Sequence, residues 1–204
     1  MYLQVEPESW DMWRLAPIVQ ILRKGGLGVI PTDTVYAFVC AIDNKRTIER
    51  LYQIKKLDVK KPLSILCNDF SMVSQFTRGF PNTWFRIVRR CLPGPYTFIL
   101  PANTQIPRLM LRKRREIGIR IPADPVCQTI INELKSPLLC TSVRTPADSF
   151  WNIPAEIEAS FGKRLDFVVD AGERFAEPSS VISLSDGTPN IIREGKGDIS
   201  PFEC

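Results

Sequence analysis

Short apolar runs closed by proline or glycine recur along this chain between segments of helical spacing, a pattern that predicts an α/β fold. The run around which the rest is arranged is residues 25–40, GGLGVIPTDTVYAFVC. Its glycines let backbone N–H groups come close to a ligand, and Val29-Ile30 begin a buried strand that Pro31 stiffens. Thr32, Asp33, Thr34 and Tyr36 follow, polar groups that extended chain would project from one side. The same residues also suit a helix C-cap followed by ordinary strand. The spaced Gly-Lys-Ser/Thr ending of a phosphate-binding loop is absent.

A length of 204 residues with 44% apolar content predicts one domain, residues 1–204. No stretch approaches the roughly 20 apolar residues of a membrane span, and the amino terminus lacks the basic, apolar and small-residue series of a signal peptide. The expectation is a soluble protein with no membrane partner, cytoplasmic unless a targeting segment has been removed. The six cysteines, Cys40, Cys67, Cys91, Cys127, Cys140 and Cys204, are scattered singly and read as reduced, mostly buried thiols, in keeping with an intracellular site.

There is no histidine. That excludes Ser-His-Asp and Cys-His catalysis and the commoner zinc sites, leaving Lys, Arg, carboxylates, hydroxyls or a hard metal for any chemistry. Phosphoryl and nucleotidyl transfer fits, because it rests on positioning and charge neutralisation. A net charge of +5 suits an anionic partner, either a nucleotide or a nucleic acid.

In chain order, a helix is expected over residues 10–24, with Pro17 shifting its start to Leu15 or later and Gly25 as its C-cap. A strand follows at 28–31 and a helix at 46–55. Lys55, Lys56, Lys60 and Lys61 then lie between that helix and the apolar run 63–67, either as a solvated connection or as a phosphate clamp at the mouth of a sheet, with Lys55 and Lys61 the better placed. Helices at 71–76 and 84–91 precede a strand at 96–100 that Pro101 terminates. The segment 106–116 holds Arg108, Arg112, Lys113, Arg114 and Arg115, the densest basic cluster, with no aromatic interleaved for base stacking.

The strand expected at 117–121, IGIRIP with Pro122, sets Arg120 among apolar neighbours, where it requires a protein carboxylate or an anionic ligand. Further expected elements are a helix at 125–134, a strand at 138–141, a helix at 154–161, and strands at 167–170 and 181–184, with a turn at Asp186-Gly187 and residues 191–195 closing the structured part.

Taken in order, PTDTVYA (31–37), IKK…KKPLSIL (54–66), LPGPYTFIL (92–100), IGIRIP (117–122), CTS (140–142), PSSVISL (178–184) and IIREGKG (191–197) resemble the motifs of the YrdC-type threonylcarbamoyl-adenylate synthase family. The resemblance spans nearly the whole chain. It implies a YrdC-like twisted, mixed, open β-sheet flanked by helices, with a concave, positively charged cavity. It also implies an activity: L-threonine, bicarbonate and ATP give threonylcarbamoyl-adenylate and pyrophosphate. A separate threonylcarbamoyl transferase then uses that product to modify an adenosine of tRNA. The chain resembles the short form without an appended second domain.

Carried over residue by residue, Thr34 and Ser180 would hold threonine and Arg120 would pair with its carboxylate or the derived carbamate, while Lys55, Lys61, Ser142 and Arg193 would lie along the ATP. Lys55, Arg120 and Ser142 would form the catalytic set. No protein metal ligands are implied, but Mg²⁺ would accompany the phosphates, since expelled pyrophosphate needs neutralising.

Three departures fall within these motifs. The family's Lys-x-Arg is Lys55-Lys56-Leu57, its Ser-x-Asn is Ser142-Val143-Arg144, and a histidine commonly found after the lysine loop is Leu66. They resemble the YciO-like branch. Arg144 would then return the lost charge to the ATP from the opposite side of the cavity. Two competing readings are an RNA-binding module, for tRNA or double-stranded RNA, that keeps the fold without the chemistry, and an ATP-dependent enzyme acting on another amino or carboxyl substrate.

Overall fold

The computed structural model describes residues 1–6, 12–55, 63–107, 110, 115–145, 147–174 and 177–203. Lys56, Leu57, Lys60, Lys61, Arg108, Arg112, Lys113 and Arg114 lie outside the described residues.

Among the described residues, ten strands form one sheet: β1 (Tyr2–Gln4), β2 (Leu27–Ile30), β3 (Ala37–Ala41), β4 (Ser64–Leu66), β5 (Tyr96–Pro101), β6 (Glu116–Arg120), β7 (Leu138–Ser142), β8 (Phe167–Asp170), β9 (Ser180–Ser183) and β10 (Asn190–Arg193). Their spatial order is β1-β8-β2-β3-β7-β4-β6-β5-β9-β10. The pairs β1/β8, β2/β8, β4/β6 and β5/β9 are parallel and the others antiparallel, so the sheet is mixed. The flanking helices are α1 (Ala16–Arg23), α2 (Lys45–Lys55), α3 (Phe70–Phe76), α4 (Asn82–Cys91), α5 (Pro125–Leu134) and α6 (Pro154–Phe161).

Local chemistry accounts for most boundaries. Pro17 sits in the first turn of α1, where its missing N–H costs nothing, and a 3₁₀ turn at Met12–Leu15 replaces the earlier start. Gly25 takes φ +81° beyond the last turn. Asp69 and Asp124 cap α3 and α5, accepting the N–H groups of Met72 and Cys127.

Three expectations need correction. Pro101 lies within β5 instead of ending it at Leu100: it pairs with Glu116, and its carbonyl accepts the Arg78 N–H at 3.0 Å. The strands β1, β3 and β10 are additional. Because β2 and β3 pair antiparallel, with Ile30 opposite Ala37, residues 31–36 form a connection and not extended chain.

The core is continuous across the sheet. Phe98 packs edge-on to Phe80 and Phe202, and Phe38 to Phe161. Among the described residues the five cysteines are free thiols, and Cys40, Cys67, Cys127 and Cys140 are buried. No helix among the described residues is long and apolar enough to cross a membrane.

Candidate active site

The register brings the carboxyl ends of the parallel pair β4 and β6, at Leu66 and Arg120, next to the amino ends of β5 and β9, where Tyr96 lies opposite Ser180. Ligands of open α/β sheets gather at such ends. Arg120 is 6% exposed between the buried Ile119 and Ile121. Its Nη2 donates to Asp33 Oδ1 at 2.8 Å and to Thr34 Oγ1 at 2.9 Å. Of the two anions open to Arg120, the structure therefore supplies a protein carboxylate.

The turn that delivers Asp33 is built by its own hydroxyls. Thr32 Oγ1 donates to the Val35 carbonyl at 2.7 Å and accepts the Thr34 N–H at 3.2 Å, a side-chain turn of the kind threonine favours. It also lies 3.1 Å from Thr34 Oγ1. Arg120 Nε and Asp33 Oδ2 are buried and have no hydrogen-bond partner among the described residues.

Arg193, the last residue of β10, donates through Nε (3.1 Å) and Nη2 (2.6 Å) to the Ser179 carbonyl, and Ser179 Oγ lies 2.8 Å from Thr97 Oγ1. Burial holds the Arg193 guanidinium below its usual range, aided by the charges of Arg144 and Arg120. Ser180 is fully buried, and its hydroxyl donates to the Gly197 carbonyl at 2.5 Å and accepts the Gly195 N–H at 3.0 Å. This anchors the strap 195–197, from which Lys196 Nζ donates to the Asp33 carbonyl at 2.9 Å.

On the other side, Lys55 closes α2 and its Nζ donates to Thr141 Oγ1 at 2.5 Å, one residue before Ser142. Ser142 is half-buried at the end of β7, opposite Ala37. Arg144 Nη1 donates to the Asp148 carbonyl at 2.7 Å and lies 3.0 Å from Asp148 Oδ2, with its guanidinium 4.2 Å over the Phe150 ring. Burial pushes the Cys140 thiol up to about 11 while Arg120 and Lys55 pull it down, so both cations act on one buried group.

The structure thus joins Thr34 directly to Arg120, and Ser180 to Arg193 through Ser179 and the strap. Lys55 adjoins Ser142 through Thr141, Arg144 stands within electrostatic reach of Arg193, and Lys61 lies outside the described residues. Sequence reasoning missed Asp33 as the partner of Arg120, and also Ser179, Lys196 and Asp124. Asp124 is buried and pairs with Arg174 at 3.1 Å. The available signal was Arg120 itself, whose apolar setting demanded a carboxylate. Among the described residues, no group of three His, Cys, Asp or Glu could hold a metal ion.

Fold and site together define an α/β protein whose mixed sheet carries arginines and hydroxyls on β5, β6, β7, β9 and β10 and in the connection between β2 and β3. A family model covering Sua5, YciO and YrdC, described as "Telomere recombination", matches residues 20–195. The chain belongs to this family. It is 36% identical over 203 residues to YciO of Escherichia coli K12, covering 98% of each chain. The crystal structure of E. coli YciO matches with a TM-score of 0.94 at 35% identity, covering 100% of this chain and 99% of that one. The threonylcarbamoyl-AMP synthase of Halorhodospira halophila is 27% identical over 190 residues, 93% of this chain and 94% of the other. P. abyssi Sua5 complexed with L-threonine shares the fold, with a TM-score of 0.89 at 22% identity over 96% of this chain and 57% of that one.

Proposed function

We propose that the protein is an L-threonylcarbamoyladenylate synthase, a nucleotidyltransferase that converts L-threonine, bicarbonate and ATP into threonylcarbamoyl-adenylate, pyrophosphate and water. The observation that carries this reading is Arg120, a buried guanidinium with the Thr34 hydroxyl 2.9 Å from Nη2 and an Nε that has no hydrogen-bond partner among the described residues. A carboxylate engages such a fork through two parallel bonds.

In this reading, Arg120 takes the carboxylate of threonine or of its carbamate, Thr34 offers a hydroxyl to the same ligand, and Ser180 acts by fixing the strap that borders it. Lys55, Lys61, Ser142, Arg144 and Arg193 line the ATP in a concave, positively charged cavity. A carbamate oxygen attacks the α-phosphorus, the bond to the β-phosphate oxygen breaks, and pyrophosphate leaves. Lys55 and Ser142 offer donors where charge develops, which is the largest catalytic term open to a site without histidine. The described residues present no carboxylate cage, so Mg²⁺ would enter on the phosphates of ATP.

The product would supply a separate transferase that modifies tRNA. With Leu57 and Arg144 in place of the family's arginine and asparagine, the enzyme would be slow: one lost donor costs about 3–4 kcal/mol of transition-state stabilisation, two to three powers of ten in rate.

The test is pyrophosphate release from ATP, Mg²⁺ and bicarbonate, with and without L-threonine, alongside Arg120→Ala. Release that needs both threonine and bicarbonate and disappears in the variant supports the synthase. Release with another amino acid in place of threonine would redirect the reading to a different substrate, which Leu66 in place of the polar histidine favours.

A second reading, RNA binding without this chemistry, draws on α4, which carries Arg86, Arg89 and Arg90 exposed and has no acidic residue of its own. Binding through several phosphates falls steeply with salt, whereas nucleotide held in a shaped cavity does not, so a salt titration of RNA and ATP affinity separates the two.

A further inference from the structure

We propose that Asp33 is a built-in carboxylate that pairs with Arg120 whenever no ligand carboxylate does and, once displaced, selects α-amino acids over plain carboxylates. The proposal deepens the reading of Arg120 as a carboxylate acceptor and rests on it.

The pair is 2.8 Å apart, with side chains 7% and 8% exposed, and its members are separated by 87 positions in the chain. A buried guanidinium left without an anion is strongly destabilising, so Arg120 needs this contact whenever no ligand anion replaces it. The contact is nevertheless incomplete. Among the described residues, Asp33 and Thr34 both engage Nη2 of Arg120, while Nε and the second carboxylate oxygen of Asp33 have no hydrogen-bond partner. A free carboxylate that engages Nε and Nη2 side by side makes the two-point contact that Asp33 does not.

Asp33 is also placed to yield. It lies in the connection between β2 and β3, outside any strand ladder, and its backbone carbonyl is held independently by Lys196. The side chain can therefore turn away while the chain stays in place. A displaced Asp33 carboxylate would border a ligand bound to Arg120 and needs a cation there, and the α-ammonium of an amino acid is that cation. Exchange then replaces one ion pair with two for an α-amino acid, but leaves Asp33 unpaired beside a carboxylate that lacks an amine. Asp33 thus sets specificity through differential binding.

The test uses L-threonine and 3-hydroxybutanoate, which is threonine without its amine, with calorimetric affinities for the wild type, Asp33→Asn and Arg120→Ala. Wild type is expected to favour threonine by about tenfold or more. In Asp33→Asn, 3-hydroxybutanoate should bind about tenfold tighter than in wild type, because its internal competitor is gone, and the preference for threonine should collapse. Should Asp33→Asn not fold, as judged by its melting curve, Asp33→Ser serves the same comparison.

Unchanged or weaker 3-hydroxybutanoate binding in the Asp33 variant, with binding abolished in Arg120→Ala, overturns the role of Asp33 and leaves Arg120 as the carboxylate acceptor. Equal binding by wild type and Arg120→Ala, or no binding of either ligand to wild type, overturns both.

Discussion

Arg193 grips the backbone carbonyl of Ser179 with two nitrogens, Nε at 3.1 Å and Nη2 at 2.6 Å, which locks the end of β10 to the residue that leads into β9. The charge that would face ATP is therefore pre-positioned and not carried on a free side chain. Arg193→Ala should weaken ATP binding by about 10- to 100-fold, in line with roughly 1.5–3 kcal/mol for hydrogen bonds to a charged group. Arg193→Lys should recover only part of this, because an ammonium cannot reproduce the planar fork. Calorimetric titration of ATP checks both; equal affinity in wild type and Arg193→Ala would remove Arg193 from the nucleotide site.

Arg144 already has partners, Asp148 and the face of Phe150. The Asp148 side chain is 84% exposed, so its ion pair is screened and contributes little to stability. The 2.7 Å bond from Nη1 to the Asp148 carbonyl is exposed as well, so the guanidinium can turn toward a phosphate at little cost. Arg144→Ala is expected to raise the Kd for ATP several-fold while leaving the melting temperature almost unchanged. A change in melting temperature with ATP affinity intact would make Arg144 a structural residue of the turn between Val143 and Trp151.

Tyr36 is fully buried, and its hydroxyl donates to the Gly172 carbonyl at 2.6 Å while accepting the Ala171 N–H at 3.1 Å. It ties the start of β3 to the chain leaving β8. Tyr36→Phe keeps the ring and leaves both backbone groups without that partner, at a cost of about 1–3 kcal/mol, or roughly 2–10 °C in a domain of this size. Burial pushes the phenol up to about 12, so it stays neutral and the loss should be constant from pH 6 to about pH 10. Thermal melts across that range test it.

How much of this was legible depended on whether the determinant was local. The helices at 125–134 and 154–161 and the strand at 167–170 were read to the residue, because Pro125 and Pro154 mark helix starts and the apolar run 167–169 has no competing pattern. Residues 31–36 were misread as extended, because the turn there is made by Thr32 hydrogen bonds that a strand-like composition conceals. The need of Arg120 for an anion was visible in IGIRIP, but Asp33 was not identified, since 87 positions separate them and pairing over such a distance is set by the register of the whole sheet. The bonds of the Ser180 hydroxyl to Gly195 and Gly197 were not legible either, because they join two motifs that lie 15 and 17 positions apart.

Asp124 tests whether burial or its ion pair governs a carboxylate beside the site. Its Oδ1 caps α5 and its Oδ2 faces Arg174 at 3.1 Å, with Asp33 as the nearby like charge. Burial dominates and raises its pKa above the ordinary 3.8, against the Cys127 N–H and Arg174, which lower it. The folded state then binds the Asp124 proton more tightly than the unfolded state does. The contribution of Asp124 to stability is therefore greatest below the ordinary carboxylate value, falls as pH rises toward the raised value, and is flat above it. Asp124→Asn keeps a good cap and removes this titration. The stability of wild type relative to Asp124→Asn, from urea unfolding at a series of pH values, should accordingly decline with rising pH through that window. A relative stability that instead grows with pH would mean that the Arg174 pair outweighs burial, so that the ionised form of Asp124 is the one the fold favours.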